Sequence, residues 1–183
     1  MSGELNGKRI ALLAADGVEQ VELDEPRKAV EQAGAETVVV SINSGEIQAF
    51  NHLDPGDKIK VDVTAGSTDS SEFDALLLPG GVANPDFLRG DEDAVSFVKG
   101  FFEHDKPVGV ICHGPWTLVE ADVVRGRTLT SWPTLQTDLR NAGAEWVDEE
   151  VHVDGRLVSS RKPDDLPSFN RKIVEVFAGG NGS

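Results

Sequence analysis

Short apolar runs that lack polar alternation are the feature of this chain that most restricts its fold. Residues 8–15, 36–42 and 73–79 form such runs, and a fourth run ends at Cys112. Continuous hydrophobicity predicts strands that are covered on both faces, as in a parallel sheet. Segments with helical spacing separate these strands. The order of elements therefore predicts one α/β domain, a mostly parallel sheet with helices on both faces.

Helices are predicted over residues 19–33, 91–104, 115–121, 133–142 and 164–177. Pro26 is expected in a first helical turn, which would start the regular part of the first helix near Asp24. Residues 47–50 and 58–63 predict a short hairpin, and Asp154-Gly155 predicts a second one. We expect a single domain over residues 1–183, with flexible ends at about 1–6 and 179–183.

Charge and composition argue against several kinds of binding partner, among them nucleic acid, membranes and metal ions. The net charge of −15 argues against a protein that binds nucleic acid or anionic membranes through its general field. The chain has no long apolar run and no signal-like N-terminus, so a cytoplasmic location is expected. A single cysteine excludes an internal disulfide, and the spacing of the histidines favours no metal site. No metal and no cofactor are predicted.

Cys112 is the strongest candidate for a catalytic residue. It ends an apolar strand and is followed by His113-Gly114 and by Pro115, which suits the first position of a helix. Backbone N–H groups at such a turn favour a thiolate, and a protonated His113 would lower the pKa of the thiol further. The alternative is a small core residue. The position in a strand–turn–helix elbow favours the nucleophile.

Two other strand ends supply candidate partners for Cys112, since active sites of parallel sheets lie beyond the carboxyl ends of the strands. Glu19 follows the first strand, and its carboxyl group could exchange a proton with the sulfur if it is buried. Glu22 is a rival that spacing alone does not exclude. Gly80-Gly81 is either a plain turn or a segment that binds substrate. In the second case the backbone N–H of Gly81, with that of His113, would form an oxyanion hole.

Several motifs together resemble the PfpI-type intracellular protease family of the ThiJ/PfpI superfamily. They are Glu19-Gln-Val-Glu-Leu23, the segment 72–81 that ends in Pro79-Gly80-Gly81, and the segment 106–115 around Cys112-His113-Gly114-Pro115. Further matches follow at residues 124–127, 130–133, 141–148 and 158–161. The resemblance therefore extends along almost the whole chain.

The resemblance implies a flavodoxin-like three-layer sandwich with Cys112 as nucleophile at a strained elbow. It implies Glu19 as the protonated partner of the sulfur, and Gly81 with His113 as oxyanion donors. In the family an acid from a neighbouring subunit orients the histidine. Asp86 stands in the matching segment, where a glutamate is usual, and this segment is one residue longer. A homo-oligomer, a dimer or higher, is therefore expected.

Family members have been described as cysteine peptidases, as glyoxalases without a cofactor, and as deglycases. The sequence favours a stress-protective enzyme that acts on reactive dicarbonyls or early glycation adducts, because a thiolate and a proton-carrying carboxyl suffice for that chemistry. The expected substrate is thus a small carbonyl compound or a glycated protein or peptide. The alternatives are a cysteine peptidase that needs oligomer assembly, and an oxidation sensor or chaperone without enzymatic activity.

Overall fold

The computed structural model describes residues 3–180, which contain twelve strands and six α-helices. The strands are β1 (Arg9–Leu13), β2 (Val18–Glu19), β3 (Glu36–Ser41), β4 (Glu46–Asn51), β5 (Asp54–Lys60), β6 (Val63–Thr64), β7 (Ala75–Leu78), β8 (Val108–Ile111), β9 (Thr128–Leu129), β10 (Glu145–Trp146), β11 (Val151–Asp154) and β12 (Leu157–Ser160). The helices are α1 (Gln20–Gln32), α2 (Ala83–Arg89), α3 (Glu92–Glu103), α4 (Pro115–Glu120), α5 (Gln136–Asn141) and α6 (Leu166–Phe177).

The central sheet has seven strands in the order β11-β12-β8-β7-β1-β3-β6. All neighbours in this sheet are parallel except β11, which pairs antiparallel with β12 at one edge. Alternate residues of β1 enter two different cores: Ala11 and Leu13 face the side of α3, and Ile10 and Leu12 face the side of α6. Burial on both faces explains the continuous apolar runs and confirms the predicted flavodoxin-like α/β sandwich.

A separate three-stranded sheet, β2-β4-β5, projects beside α1. Strands β4 and β5 form the predicted antiparallel hairpin, with an irregularity between Gln48 and Phe50. Strand β2 pairs parallel with β4, and this pairing joins the hairpin to the segment that leads into α1. Most of β5 is exposed. The predicted extension of this arm to Val63 is wrong, because Val63 pairs with β3 in the central sheet.

Two predictions about helices differ from the structure. Helix α1 begins at Gln20 and contains Pro26 in its interior, whereas the sequence placed Pro26 in a first turn. Proline has no N–H, so the helix lacks the bond that residue 26 would donate to the Glu22 carbonyl. Helix α2 was not predicted, because Asn84-Pro85 is typical of a turn. Pro85 is tolerated there because it lies in the first turn of α2.

The predicted flexible ends lie partly outside the described residues, namely at 1–2 and 181–183. Within the described part, Leu5 is fully buried and its N–H donates to the Ala33 carbonyl at 2.9 Å. The prediction of a flexible N-terminal segment is therefore wrong for Leu5. None of the helices in residues 3–180 combines the length and apolarity needed to cross a membrane.

Replacing Gly109 by alanine should lower the free energy of unfolding by about 1–3 kcal/mol, because the new Cβ overpacks the core. In β8 that atom would lie 2.9 Å from both Ile173 and Leu77. Urea denaturation of the variant measures the effect. Gly90→Ala is the matched control, since its Cβ would meet no atom closer than 3.6 Å. Equal stability of both variants would contradict this packing.

Candidate active site

The carboxyl ends of β7 and β8 bring the predicted site residues together. Cys112 directly follows β8, and Gly80 and Gly81 follow β7 after one proline. The segment of β2 and the first turn of α1 lies against the same end, where the Glu19 N–H donates to the Gly80 carbonyl at 3.3 Å. This convergence follows from parallel pairing, which places successive strand ends at one edge of the sheet.

Cys112 has the strained backbone of the predicted elbow, with φ of 64° in the left-handed region. Its N–H donates to the Ser160 carbonyl at 3.1 Å, and its carbonyl accepts the Trp132 N–H at 2.9 Å. Helix α4 begins three residues later at Pro115. The residue is buried, with 6% of its surface exposed, and it lines a pocket.

Glu22, and not Glu19, is the carboxyl group that faces the sulfur. Glu22 is almost fully buried, and its Oε1 accepts the Gly80 N–H at 3.0 Å. Oε2 is buried and has no hydrogen-bond partner among residues 3–180, and the carboxyl group lies close enough to the Cys112 thiol for each to influence the pKa of the other. Glu19 instead turns toward the β4–β5 hairpin. The expected contact between Glu19 and Cys112 is therefore corrected to Glu22, its rival one helical turn further on.

Burial controls the protonation of this pair. It raises the pKa of Glu22 to about 8, well above the ordinary value of 4.5. It also raises the pKa of the Cys112 thiol, and a charged Glu22 raises it further, whereas the backbone N–H groups of His113 and Gly81 lower it. The sequence predicted a lowered pKa for the thiol. The structure reverses that prediction because the sulfur is buried next to an acid.

The two glycines after β7 have different roles. Gly80 donates its N–H to Glu22, so this group is not free for substrate. The N–H of Gly81, with that of His113, is directed at the Cys112 sulfur. Gly81 has φ of 82°, and a Cβ there would overlap the carbonyl oxygen of Gly17. The Gly81 position therefore requires glycine for both conformation and space.

His113 lies in an aromatic setting, and its burial lowers the pKa of its ring. Its Nδ1 lies 3.2 Å from Cys112 Sγ. The ring stacks on Trp132 with centroids 5.7 Å apart and meets Trp116 edge-on at 5.3 Å. A protonated His113 was expected to assist the thiolate through its charge. Burial disfavours that charge, because it lowers the pKa of the ring.

Asp86 does not contact His113 within this chain. It lies exposed on α2 and pairs with Arg89 at 2.9 Å. The guanidinium of Arg89 in turn lies over the ring of Trp116, 4.6 Å from its centroid. The role of Asp86 as an acid supplied to a neighbouring subunit stays a prediction.

The pocket over Cys112 has a volume of about 410 Å³ and a largely apolar lining. Besides the catalytic candidates it is lined by residues of the hairpin, of the Gly81–Ala83 segment and of the segment after β9: Phe50, His52, Leu53, Gly81, Val82, Ala83 and Trp132. Within residues 3–180, no group of three or more His, Cys, Asp or Glu side chains is arranged to hold a metal ion.

Sequence reasoning missed several residues of this site. Neither His52 nor Trp132 was predicted as a site residue, yet both line the pocket. Asn84 was missed with its helix. It is fully buried, donates to the carbonyls of Pro79 and Gly80, and so holds the glycine segment in place. A polar residue just after Pro79-Gly80-Gly81 was the available signal.

Comparisons with known proteins agree with the fold and with the motifs. A family model described as the DJ-1/PfpI family matches residues 8–176. The protein named "Putative cysteine protease YraA" of Bacillus subtilis is 43% identical over 170 residues, which cover 93% of this chain and 98% of that protein. The protein named Deglycase TK1284 of Thermococcus kodakarensis is 44% identical over 169 residues, which cover 92% of this chain and 99% of that protein.

A solved structure shows the same architecture. The crystal structure of Drosophila melanogaster DJ-1beta matches with a TM-score of 0.85 at 26% identity. The match covers 98% of this chain and 92% of that one.

The Glu22→Gln variant should gain stability relative to the wild type as pH rises. The unfolded chain ionises Glu22 near its ordinary pKa of 4.5, whereas the folded protein keeps the proton until about pH 8. The wild type therefore loses stability between these values, on the order of 5 kcal/mol in total, and the loss is constant above pH 8. Urea denaturation from pH 4.5 to 9 measures the difference between variant and wild type.

Glu25→Gln, exposed on the same helix, is the control. A difference that does not change with pH would contradict the burial of Glu22.

Proposed function

Because this chain belongs to the DJ-1/PfpI family, we propose that it is a stress-protective enzyme that uses Cys112 against reactive dicarbonyls or their early adducts on proteins. The observation that carries the proposal is the buried Cys112–Glu22 pair with backbone N–H groups directed at the sulfur. The relative named a deglycase, which this chain matches along nearly its full length, supports it.

The pair is reactive when it holds one proton. Below about pH 8 both the thiol and Glu22 are protonated, and the pair contains neither a nucleophile nor a base. Loss of the first proton leaves a single proton to be shared by Glu22 and the sulfur. When that proton is on Glu22, the sulfur is a thiolate that accepts the N–H groups of His113 and Gly81. Glu22 is thus the proton acceptor that activates Cys112.

Methylglyoxal illustrates the reaction. The Cys112 thiolate forms a C–S bond with the aldehyde carbon, and the oxygen takes the proton of Glu22 to give a hemithioacetal. The Glu22 carboxylate then removes the hydrogen from that carbon and returns it to the neighbouring one, while the hydroxyl proton moves to the neighbouring carbonyl oxygen, which leaves a thioester of lactate. Water cleaves the C–S bond, releases lactate and restores the pair. The net change is methylglyoxal plus water to lactate plus a proton, so no oxidant or reductant is consumed.

An early glycation adduct enters the same sequence after its bond to the amine breaks. The thiolate forms a bond with the carbon that carries the amine, and the amine leaves with a proton from Glu22. The hemithioacetal that results is the one formed from the free dicarbonyl. Both substrate classes therefore need the same two groups of this chain, Cys112 and Glu22.

A peptidase is the second candidate, and the 3.2 Å separation of His113 Nδ1 from the Cys112 sulfur favours it. The relative named a cysteine protease agrees with this alternative. Peptide hydrolysis needs a histidine that carries a proton to the leaving amine, and a carboxylate normally stabilises that imidazolium. In this chain the ring contacts two tryptophans instead. The peptidase thus depends on an acid from a second copy, for which Asp86 is our candidate.

Purified protein should convert methylglyoxal to lactate without added glutathione. Cys112→Ser should abolish turnover, and Glu22→Gln should lower kcat by at least about 100-fold, the usual contribution of a positioned acid–base group. Glu19→Gln should lower it less, because Glu19 does not face the sulfur. Enzymatic detection of lactate measures these rates, with Glu25→Gln as control. A larger loss in Glu19→Gln than in Glu22→Gln would contradict the assignment of Glu22.

The rate should rise with pH to a plateau above about pH 8. The reactive pair forms when Glu22, whose pKa burial raises to about 8, loses its proton to solvent. The measurement is kcat/KM for methylglyoxal between pH 6 and 9.5. Glu22→Gln should shift the rise to higher pH, because only the thiol then titrates. A rate that falls through pH 8 would contradict this assignment, because the pair would then already hold its single proton below pH 8 and lose it there.

The peptidase alternative predicts activity only in an assembled form. Cleavage of a fluorogenic peptide should then co-elute with an oligomer on size exclusion, and Asp86→Asn should reduce it by at least about tenfold. Asp93→Asn, a surface change on α3, is the matched control. Peptide cleavage that persists in Cys112→Ser would point to a contaminating protease and remove the support for this alternative.

A further inference from the structure

The turn between β4 and β5, residues 51–54, forms one wall of the pocket and carries an apolar tip. Leu53 lines the pocket although its side chain is 93% exposed. Its neighbour His52 has φ of 61°, in a region that non-glycine residues seldom adopt. Tips of turns are usually polar. An exposed leucine at a pocket mouth is thus available to contact a ligand that enters the pocket.

Glu19 fixes the position of this turn. Its two carboxylate oxygens lie 3.1 and 3.2 Å from the His52 N–H, which they accept. The carboxylate is largely buried, and the His52 ring is 3.7 Å from it at its Nδ1. Hydrogen bonds to a charged acceptor are among the stronger ones in proteins. The bond to Glu19 satisfies the N–H of a strained residue and holds the tip on the side of Cys112.

The rest of the hairpin has an independent anchor. Gln20 donates to the Asp57 carboxylate at 2.8 Å and accepts the Asp57 N–H at 2.9 Å. Strands β2 and β4 also stay paired through Val18 and Ala49. Loss of the Glu19 carboxylate should therefore free the turn while the hairpin remains in place.

The size of the pocket indicates what the wall contacts. A cavity of about 410 Å³ is in the range of sites that hold drug-sized ligands. A three-carbon dicarbonyl bonded to Cys112 leaves most of this volume empty. Apolar side chains surround the remainder, namely Phe50, Leu53, Val82 and Trp132.

We propose that the Glu19-anchored turn is a specificity wall for substrates that carry an apolar substituent, such as an aromatic ring, beside the reacting carbonyl. Leu53 contacts the substituent, and Glu19 is a positioning residue that acts through His52. The dicarbonyl nature of the reacting group rests on the proposed function. The shape of the pocket and the apolar contact do not depend on it.

Alkylation of Cys112 tests the wall without any assumption about the reaction. The chain has one cysteine, so the mass increase of the intact protein reports on this site alone. We would measure the rate of Cys112 alkylation by iodoacetamide and by N-benzyl-iodoacetamide, which carries an additional aromatic ring. The quantity compared between variants is the ratio of the N-benzyl-iodoacetamide rate to the iodoacetamide rate. Leu53→Ala should lower this ratio about fivefold, as expected when about 40 Å² of apolar contact is lost.

The Glu19 variants separate positioning from general stability. Glu19→Ala should lower the ratio as much as Leu53→Ala, whereas Glu19→Gln should restore most of it, because an amide oxygen still accepts the His52 N–H. Glu25→Ala should leave the ratio unchanged. If Glu19→Ala does not fold, Leu53→Ala decides the test, since its exposed side chain contributes little to stability. A ratio that is unchanged or raised in Leu53→Ala overturns the proposal.

Turnover gives a second readout that distinguishes the two proposals. In Leu53→Ala, KM for phenylglyoxal should rise about fivefold relative to KM for methylglyoxal, with the ratio of their kcat values changed less. One outcome is a wild type that is inactive on both compounds while Leu53→Ala still lowers the alkylation ratio as expected. That pair of results would reject the proposed function but support the specificity wall. Equal changes in KM for both compounds would reject the wall.

Discussion

Cys112 keeps a left-handed backbone because the polar groups of its peptide are bonded to neighbouring segments. A non-glycine residue in this region costs on the order of 1 kcal/mol. The bonds to Ser160 and Trp132 hold the conformation in place. The strain turns the side chain out of the strand direction into the pocket above the sheet. Every other feature of the site, from the glycine segment to the pocket wall, is arranged around that one sulfur.

Burial of an acid beside a thiol then sets the chemistry. Two negative charges cannot coexist there at low cost, so the pair titrates as a unit and shares its last proton. His113 lies 3.2 Å from the same sulfur, but burial lowers the pKa of its ring and so makes it a weaker base. We therefore assign the role of proton acceptor to the carboxyl group of Glu22. This favours proton movement between adjacent carbons over expulsion of an amine by a charged histidine.

Glu19 and Glu22 are three residues apart, yet their side chains contact different parts of the site. Glu22 points into the sheet end and reaches Gly80 and the sulfur. Glu19, which ends β2, is directed to the hairpin and accepts the N–H of His52. The motif Glu-Gln-Val-Glu contains both acids, and the sequence alone does not determine which of them faces Cys112. Pro26 gave the misleading signal, because it moved the expected start of the helix past both of them.

The sequence by itself determined the layered α/β fold, the elbow at Cys112 and the glycine turn after β7. Each depends on local signals: continuous hydrophobicity, a proline at a helix start, and glycines where only glycine fits. The tertiary structure decided the rest: the choice of Glu22 over Glu19, the raised pKa of the thiol, and the place of His52, Leu53 and Asn84 around the pocket. Burial and contacts between segments far apart in the chain set these properties, and no local pattern of residues records them.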